Sequence, residues 1–443
     1  MIENEIKERI LKAVEEKREE LIEFTRNLVK VRSELGEEGA AQKAVEKKLR
    51  DIGLEIDVFE ADLAQIRKHP EYTPVEYSEK HGYKGRPNVV GKLKGVGGGR
   101  SMILTTHVDT VPVGPKDPWK HDPLGGEVDD GKLYGRGAAC DKSGLALSIL
   151  AVDSILAAGL RLKGDVTVAS TIEDEVGGSG GILAFILRGY KADGALLPHP
   201  NLVGLGCMLL SSGGMLFFKV KVRGRNGEFP QGGVNAITEL MKIYQALIGL
   251  DEYRGRTVRY EPYERFFSAA GWPPAAVRST NIIPAIVSGG SDPIQVPTTC
   301  ELQCSISFPP YEKAEAVKKI VEEHIKKAAD SDHWLSENPP EIEWFGVKAT
   351  PSVVDSNHPL AKMTQHYIEE IAGVKPFIGG IPMHCDFRYP AIYANTPQIM
   401  FGPFGDRLHG VDEYVDIESL VTATKITALI IADWCGYERV PVS

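Results

Sequence analysis

The chain has 443 residues, 42% hydrophobic and 25% charged, with 51 basic against 61 acidic side chains and a net charge of −10. That length holds two or three folding units and a core that needs no disulfide or metal staple, which excludes a small stapled module. No segment concentrates Lys and Arg enough to follow a phosphate backbone, so nucleic acid is not an expected partner. The start, Ile2-Glu3-Asn4-Glu5, lacks the basic flank and apolar core of a secretory leader. The longest apolar stretch, Leu145 to Leu160, is interrupted by Asp153 and falls short of the roughly 20 apolar residues of a bilayer span. Six cysteines (Cys140, Cys207, Cys300, Cys304, Cys385, Cys435) are scattered, with no Cys-x-x-Cys pair. The expectation is a soluble protein of the reducing cytoplasm, without a membrane partner.

In chain order, Ile6, Ile10, Val14, Leu21, Phe24 and Leu28 recur near helical spacing and predict one amphipathic helix over 3–31. A second helix follows over 40–52, ended by Gly53. Short β-rich runs come next at 54–59, 88–93 and 101–106, separated by Gly and Pro clusters. Helix (143–158), strand (165–171) and helix (180–187) then alternate, which predicts an α/β layer with a largely parallel sheet. From residue 213 the pattern changes to strand (216–222), helix (234–250), strands (280–287 and 300–308), helix (312–329) and strand (341–345). This β-α-β-β-α-β order is the split ferredoxin-like unit. It predicts an inserted domain over 213–348, with 1–212 and 349–443 forming one discontinuous domain whose mixed sheet is sandwiched by helices.

Three stretches could carry chemistry. The apolar strand Leu104-Thr105-Thr106 ends in His107-Val108-Asp109, where a histidine can bind a metal and the aspartate can orient its ring. A strand-end histidine satisfied by a neighbouring carboxylate is the bland alternative. The turn Gly135-Arg136-Gly137-Ala138-Ala139-Cys140-Asp141-Lys142 opens an apolar helix, but its glycine spacing fits neither a phosphate loop nor a dinucleotide fingerprint. Glu173-Asp174-Glu175 follows a strand, and three adjacent carboxylates repel unless solvated or neutralised by a cation. His199, in Leu197-Pro198-His199-Pro200, and His409, in Leu408-His409-Gly410, complete the set.

Together these motifs resemble the zinc amidohydrolase and exopeptidase family of acetylornithine deacetylase, succinyl-diaminopimelate desuccinylase, aminoacylase and carboxypeptidase G. The resemblance is carried by Thr106-His107-Val108-Asp109-Thr110-Val111-Pro112, Trp119-Lys120-His121-Asp122-Pro123-Leu124 and Asp130-Gly131-Lys132-Leu133-Tyr134-Gly135-Arg136-Gly137. Gly232-Gly233-Val234-Asn235, Cys385-Asp386-Phe387-Arg388 and His409-Gly410-Val411-Asp412-Glu413-Tyr414 add to it. It implies two divalent metals, zinc before cobalt or manganese, with a single metal as the alternative. His107 would bind one metal and His409 the other, Glu175 and His199 would each add a ligand, Asp109 would orient His107, and a carboxylate would bridge. Asp174 would be the general base for a metal-activated water attacking an amide C–N bond.

The chain departs from the family pattern at several positions. An ungapped reading puts Cys140 where the family has its bridging Asp; either the loop shifts by one so that Asp141 bridges, or the Cys140 thiolate faces the metals. The bidentate carboxylate of Asp141 is the favoured reading. Asp174 replaces a longer Glu, His199 stands where Glu is common, and Ile294 where Asn is expected. Glu228 occupies the offset of a lid histidine that stabilises the oxyanion, leaving Asn226 or His384 to substitute. Arg388 would clamp a substrate carboxylate, with a structural ion pair as the alternative. The expected function is a metal-dependent hydrolase of small N-acyl amino acids or short peptides, dimeric through its inserted domain. The rivals are an aminohydrolase of a non-peptide substrate and a catalytically impaired metal-binding homologue.

Overall fold

The computed structural model describes residues 2–115, 117–227 and 232–440. Glu228 lies outside the described residues. The amphipathic N-terminal segment forms two helices, α1 (Asn4–Glu16) and α2 (Arg18–Lys30), rather than one. The break is at Lys17, whose backbone leaves the helical region at φ −96°, ψ 8°, and whose ammonium pairs with Asp153 at 2.8 Å. There follow α3 (Gly39–Asp51), β1 (Glu55–Phe59), β2 (Asn88–Leu93), β3 (Met102–His107), α4 (Ser143–Ala157), β4 (Val166–Thr171), β5 (Gly194–Leu197) and β6 (Cys207–Ser212).

The chain then enters β7 (Gly214–Arg223), α5 (Ala236–Thr257), β8 (Ile282–Gly289), β9 (Thr299–Phe308), α6 (Ala314–Asp330) and β10 (Glu341–Ala349). It closes with α7 (Pro359–Ala372), β11 (Gln398–Met400) and α8 (Ile417–Cys435). Two compact units result. One comprises the chain up to Leu210, Val354–Gly379 and the stretch from Cys385 onward; the other comprises Ser211–Val353 and Gly380–His384.

The sheet of the first unit runs β1-β2-β4-β3-β5-β11-β6. Its centre, β4-β3-β5-β11, is parallel, and β1, β2 and β6 pair antiparallel at the flanks. Every residue of β3 and β4 is buried, because helices cover both faces of a parallel sheet and its strands read as continuous apolar runs. Twelve of the fifteen residues of α4 are buried as well, since it packs against β3 on one side and against α1 and α8 on the other. The expected helix over 180–187 is regular only over Ala184–Leu187; Ser179–Leu183 forms a wider turn that follows Gly178 at φ 70°.

The second unit is a four-stranded antiparallel sheet in the order β8-β9-β7-β10. Along β7, buried and half-buried residues alternate, as a strand with one covered face requires. Leu216, Phe218, Val220 and Val222 meet Leu240, Ile243 and Leu247 of α5 and Val317, Val321 and Ile325 of α6 in one core.

Candidate metal centre

The parallel strands of the first unit end together, and the loops after them carry the chemistry-bearing side chains, as open α/β sheets do at a topological switch point. His107 is the last residue of β3 and is 3% exposed. Its Nδ1 lies 3.0 Å from the Asp109 carbonyl and 3.4 Å from the Asp109 carboxylate. The same carboxylate accepts the N–H groups of Asp174 and Glu175, each at 3.2 Å. Asp109 therefore ties the histidine of one strand to the acidic loop of the next.

That loop begins at Glu173, in the left-handed region at φ 67°. Its side chain turns inward, accepting from Ser78, from Tyr83 at 2.8 Å and from the Gly180 N–H at 2.7 Å. With Glu173 committed inward, Asp174 Oδ2 comes 3.6 Å from His107 Nε2, and Glu175 Oε2 comes 3.0 Å from His409 Nε2. His199, after β5, has Nδ1 2.6 Å from the Pro200 carbonyl, which holds its ring and leaves Nε2 as the outward nitrogen.

Cys140 stands between these groups. Its Sγ is 3.4 Å from His199 Nε2, 3.7 Å from His107 Nε2 and 3.6 Å from Glu175 Oε1. Two sets of potential ligands result, His107–Cys140–His199 and Cys140–Glu175–His409, each with its donor atoms within 4.8 Å of one another. Imidazole, carboxylate and thiol together are a donor set that borderline metals such as zinc accept, so the residues fit a divalent metal.

The electrostatics set the two histidines apart. Burial works against the His107 cation, yet Asp174 and Asp109 outweigh it and hold its pKa well above the usual imidazole range. Burial and the neighbouring His107 push His199 down to about 4. Burial and Glu175 push the Cys140 thiol well up.

At two positions the geometry bears on alternatives that the sequence left open. Asp141, favoured as the bridging group, belongs to neither ligand set. Its carboxylate is buried with no hydrogen-bond partner on either oxygen and packs against Gly144, where a Cβ would come 2.2 Å from Oδ1. One residue along a tight turn reverses the direction of a side chain, and it is Cys140 that faces the histidines. Arg388, read as a clamp for a substrate carboxylate or as a structural ion pair, is 1% exposed. Its guanidinium donates to Glu71 at 2.8 Å, to the Cys385 carbonyl at 2.9 Å and to the Tyr389 hydroxyl at 2.7 Å. It is an internal ion pair, its charge answered from within the unit.

Two positioning groups escaped the sequence reading. Glu413 accepts the N–H groups of Ala139 and Cys140 at 2.9 and 3.0 Å and pairs with Arg136 at 2.7 Å. It fixes the turn that presents Cys140; its place in the His409–Tyr414 motif was the available signal. Asp386 lies beside Asp174, and burial together with that carboxylate pushes its pKa well up. Gly178 must lack a side chain there, because a Cβ would meet Asp386 Oδ1 at 2.2 Å. Asn226 and His384 belong to the second unit; Asn226 is exposed and accepts the Gly227 N–H at 3.0 Å.

Known proteins resemble this chain in sequence and in fold. Residues 103–433 match the model of "Peptidase family M20/M25/M40". An N-formyl-4-amino-5-aminomethyl-2-methylpyrimidine deformylase of Bacillus subtilis is 30% identical over 97% of this chain and 97% of its own. A succinyl-diaminopimelate desuccinylase of Rhodopseudomonas palustris is 28% identical over 74% of this chain and 81% of its own. Among solved structures, a dinuclear metal-binding M20 peptidase of Bacillus subtilis superimposes with a TM-score of 0.63, covering 95% of this chain and 99% of its own at 16% identity. The chain belongs to peptidase family M20/M25/M40 and is a metal-dependent hydrolase of amide bonds.

Proposed function

We propose that the chain hydrolyses the C–N bond of a small N-acyl compound at a centre of two divalent metals, most readily zinc. The observation that carries this reading is the pair of ligand sets gathered where the parallel strands end. His107 and His199 would hold one metal, Glu175 and His409 the other. Bound there, such cations supply Lewis-acid polarisation of the scissile carbonyl and lower the pKa of attacking water.

Asp174 is the group that moves the proton. Its Oδ2 takes a proton from the attacking water and returns it to the departing amine, the general acid–base role of a positioned carboxylate. Asp386 lies beside it, its pKa pushed up by burial and by the Asp174 carboxylate. Asp109 acts through His107 and through the Asp174 and Glu175 amides, holding ring and loop in register.

A non-peptide substrate is the second reading. It is favoured by the formamide-cleaving relative, matched over almost the whole chain, and by the commitment of Arg388 to Glu71, which leaves that guanidinium without a role in binding a substrate carboxylate. We further propose a cytoplasmic homodimer assembled through the second unit. Its edge strand β8 exposes Ile283, Ile286 and Val287 by 54%, 54% and 52%, and an apolar sheet edge of this kind invites pairing. No helix among the described residues is long and apolar enough to cross a membrane.

The test is product analysis on N-formyl, N-acetyl and N-succinyl amines and on dipeptides, with and without a chelator. Chelator-sensitive release of acid and amine from one of these classes is expected. Turnover on none of them, or turnover indifferent to chelation, contradicts the proposal.

A further inference from the structure

Cys140 is the one residue shared by both ligand sets. Three donor atoms converge on its sulfur: His199 Nε2, Glu175 Oε1 and His107 Nε2, between 3.4 and 3.7 Å away. A single S–H bond serves one acceptor, so hydrogen bonding alone does not account for this convergence. Each of the three groups is also held from behind. His199 Nδ1 meets the Pro200 carbonyl, His107 Nδ1 meets Asp109, and Glu175 Oε2 meets His409. The atoms left facing the thiol are those that a cation would use.

The turn is built to keep the sulfur there. Glu413 receives the amides of both Ala139 and Cys140 and is itself anchored by Arg136. The neighbouring carboxylate of Asp141 is packed away against Gly144. For Asp141 to take the central place, the turn would have to give up the bonds to Glu413 and reverse.

We propose that Cys140, as a thiolate, is the ligand that joins the two metals of this centre in place of a carboxylate. This rests on the metal-hydrolase reading above. On loading, the S–H bond breaks, its proton leaves to solvent, and the sulfur lone pairs form the two bonds to metal, with no change of oxidation state. A coordinating thiol is deprotonated by the cation even where burial alone would keep it protonated. The consequence is selectivity: a soft sulfur shared by both sites favours zinc, cobalt and cadmium over manganese and magnesium.

The test uses the full-length protein, stripped with a chelator and titrated anaerobically with cobalt(II). A sulfur-to-cobalt charge-transfer band in the near ultraviolet is expected, growing until two cobalt ions are bound per chain. In Cys140→Asp the band disappears while two cobalt ions still bind, and the preference for zinc over manganese falls by at least about tenfold. In Cys140→Ser the binding of both ions weakens by more than the roughly 10–100-fold that loss of an outer partner alone costs. Two cobalt ions without the band in the unaltered protein, or a band that survives in Cys140→Asp, overturns the thiolate bridge and leaves the hydrolase reading standing. Failure of the unaltered protein to bind cobalt overturns the hydrolase reading and the bridge together.

Discussion

The two ligand sets of the candidate centre are held in different ways. His107 and His199 sit at strand ends, with Nδ1 atoms fastened to the Asp109 and Pro200 carbonyls and with little freedom to turn. The His107 side chain is 4% exposed. His409 lies on a loop at φ 63°, its side chain 50% exposed, and its ring partner is Glu175 from another loop. One set is ordered by the sheet, the other by contacts between loops. A centre built this way keeps one site rigid and lets the other adjust, which is where substrate entry and metal exchange should concentrate.

Substitutions separate the two sets, the rigid one giving the largest effect. His107→Ala removes the strand-end imidazole of the candidate centre, and chelator-sensitive turnover should fall on the order of 10⁴-fold, the several kcal/mol that Lewis-acid catalysis contributes. Retention of more than a tenth of the activity would show that the strand-end site is not where chemistry occurs. Asp174→Asn should lower kcat about 10³-fold with both metals still counted by elemental analysis. A fall in metal content instead would make Asp174 a ligand.

Arg388→Ala removes the buried guanidinium that pairs with the buried Glu71 carboxylate, and should cost about 3–5 kcal/mol of unfolding free energy in urea titration. Unchanged stability with a raised KM would restore Arg388 as a substrate clamp. His409→Ala should weaken one metal of the two about 100-fold, so that excess metal rescues the rate. Rescue that fails would mean the loop site is as rigid as the strand site. Glu413→Gln should be mildest: its amide oxygen still accepts from Ala139 and Cys140 but loses the Arg136 charge, and metal affinity should drop about 10-fold.

The parts of this arrangement that were legible in the sequence are those governed by local periodicity. Alternation over Leu216–Val222 and helical spacing over 234–250 and 312–329 are enough to infer the ferredoxin-like unit, since one face of each element must be buried. The buried runs ending at His107 and Thr171 are legible for the same reason. The break at Lys17 was hidden because the apolar stripe continues through it, and only the Asp153 contact marks it. Cys140 and Asp141 are adjacent, and no periodicity tells which one a tight turn aims inward. Arg388 and Glu71 are 317 positions apart, so their pairing is a product of the tertiary fold and cannot be read from either neighbourhood. Glu413 acts by accepting backbone amides, a role that any carboxylate type permits and that only the folded turn at Ala139 assigns.

The most direct test of the two-metal centre is anomalous scattering from crystals of the zinc-loaded protein, recorded at the zinc edge. Two peaks per chain are predicted, one contacted by His107 and His199 and one by Glu175 and His409, with the Cys140 sulfur between them. Peaks ligated by Asp141 with Cys140 turned away, or no peak among these residues, would contradict it.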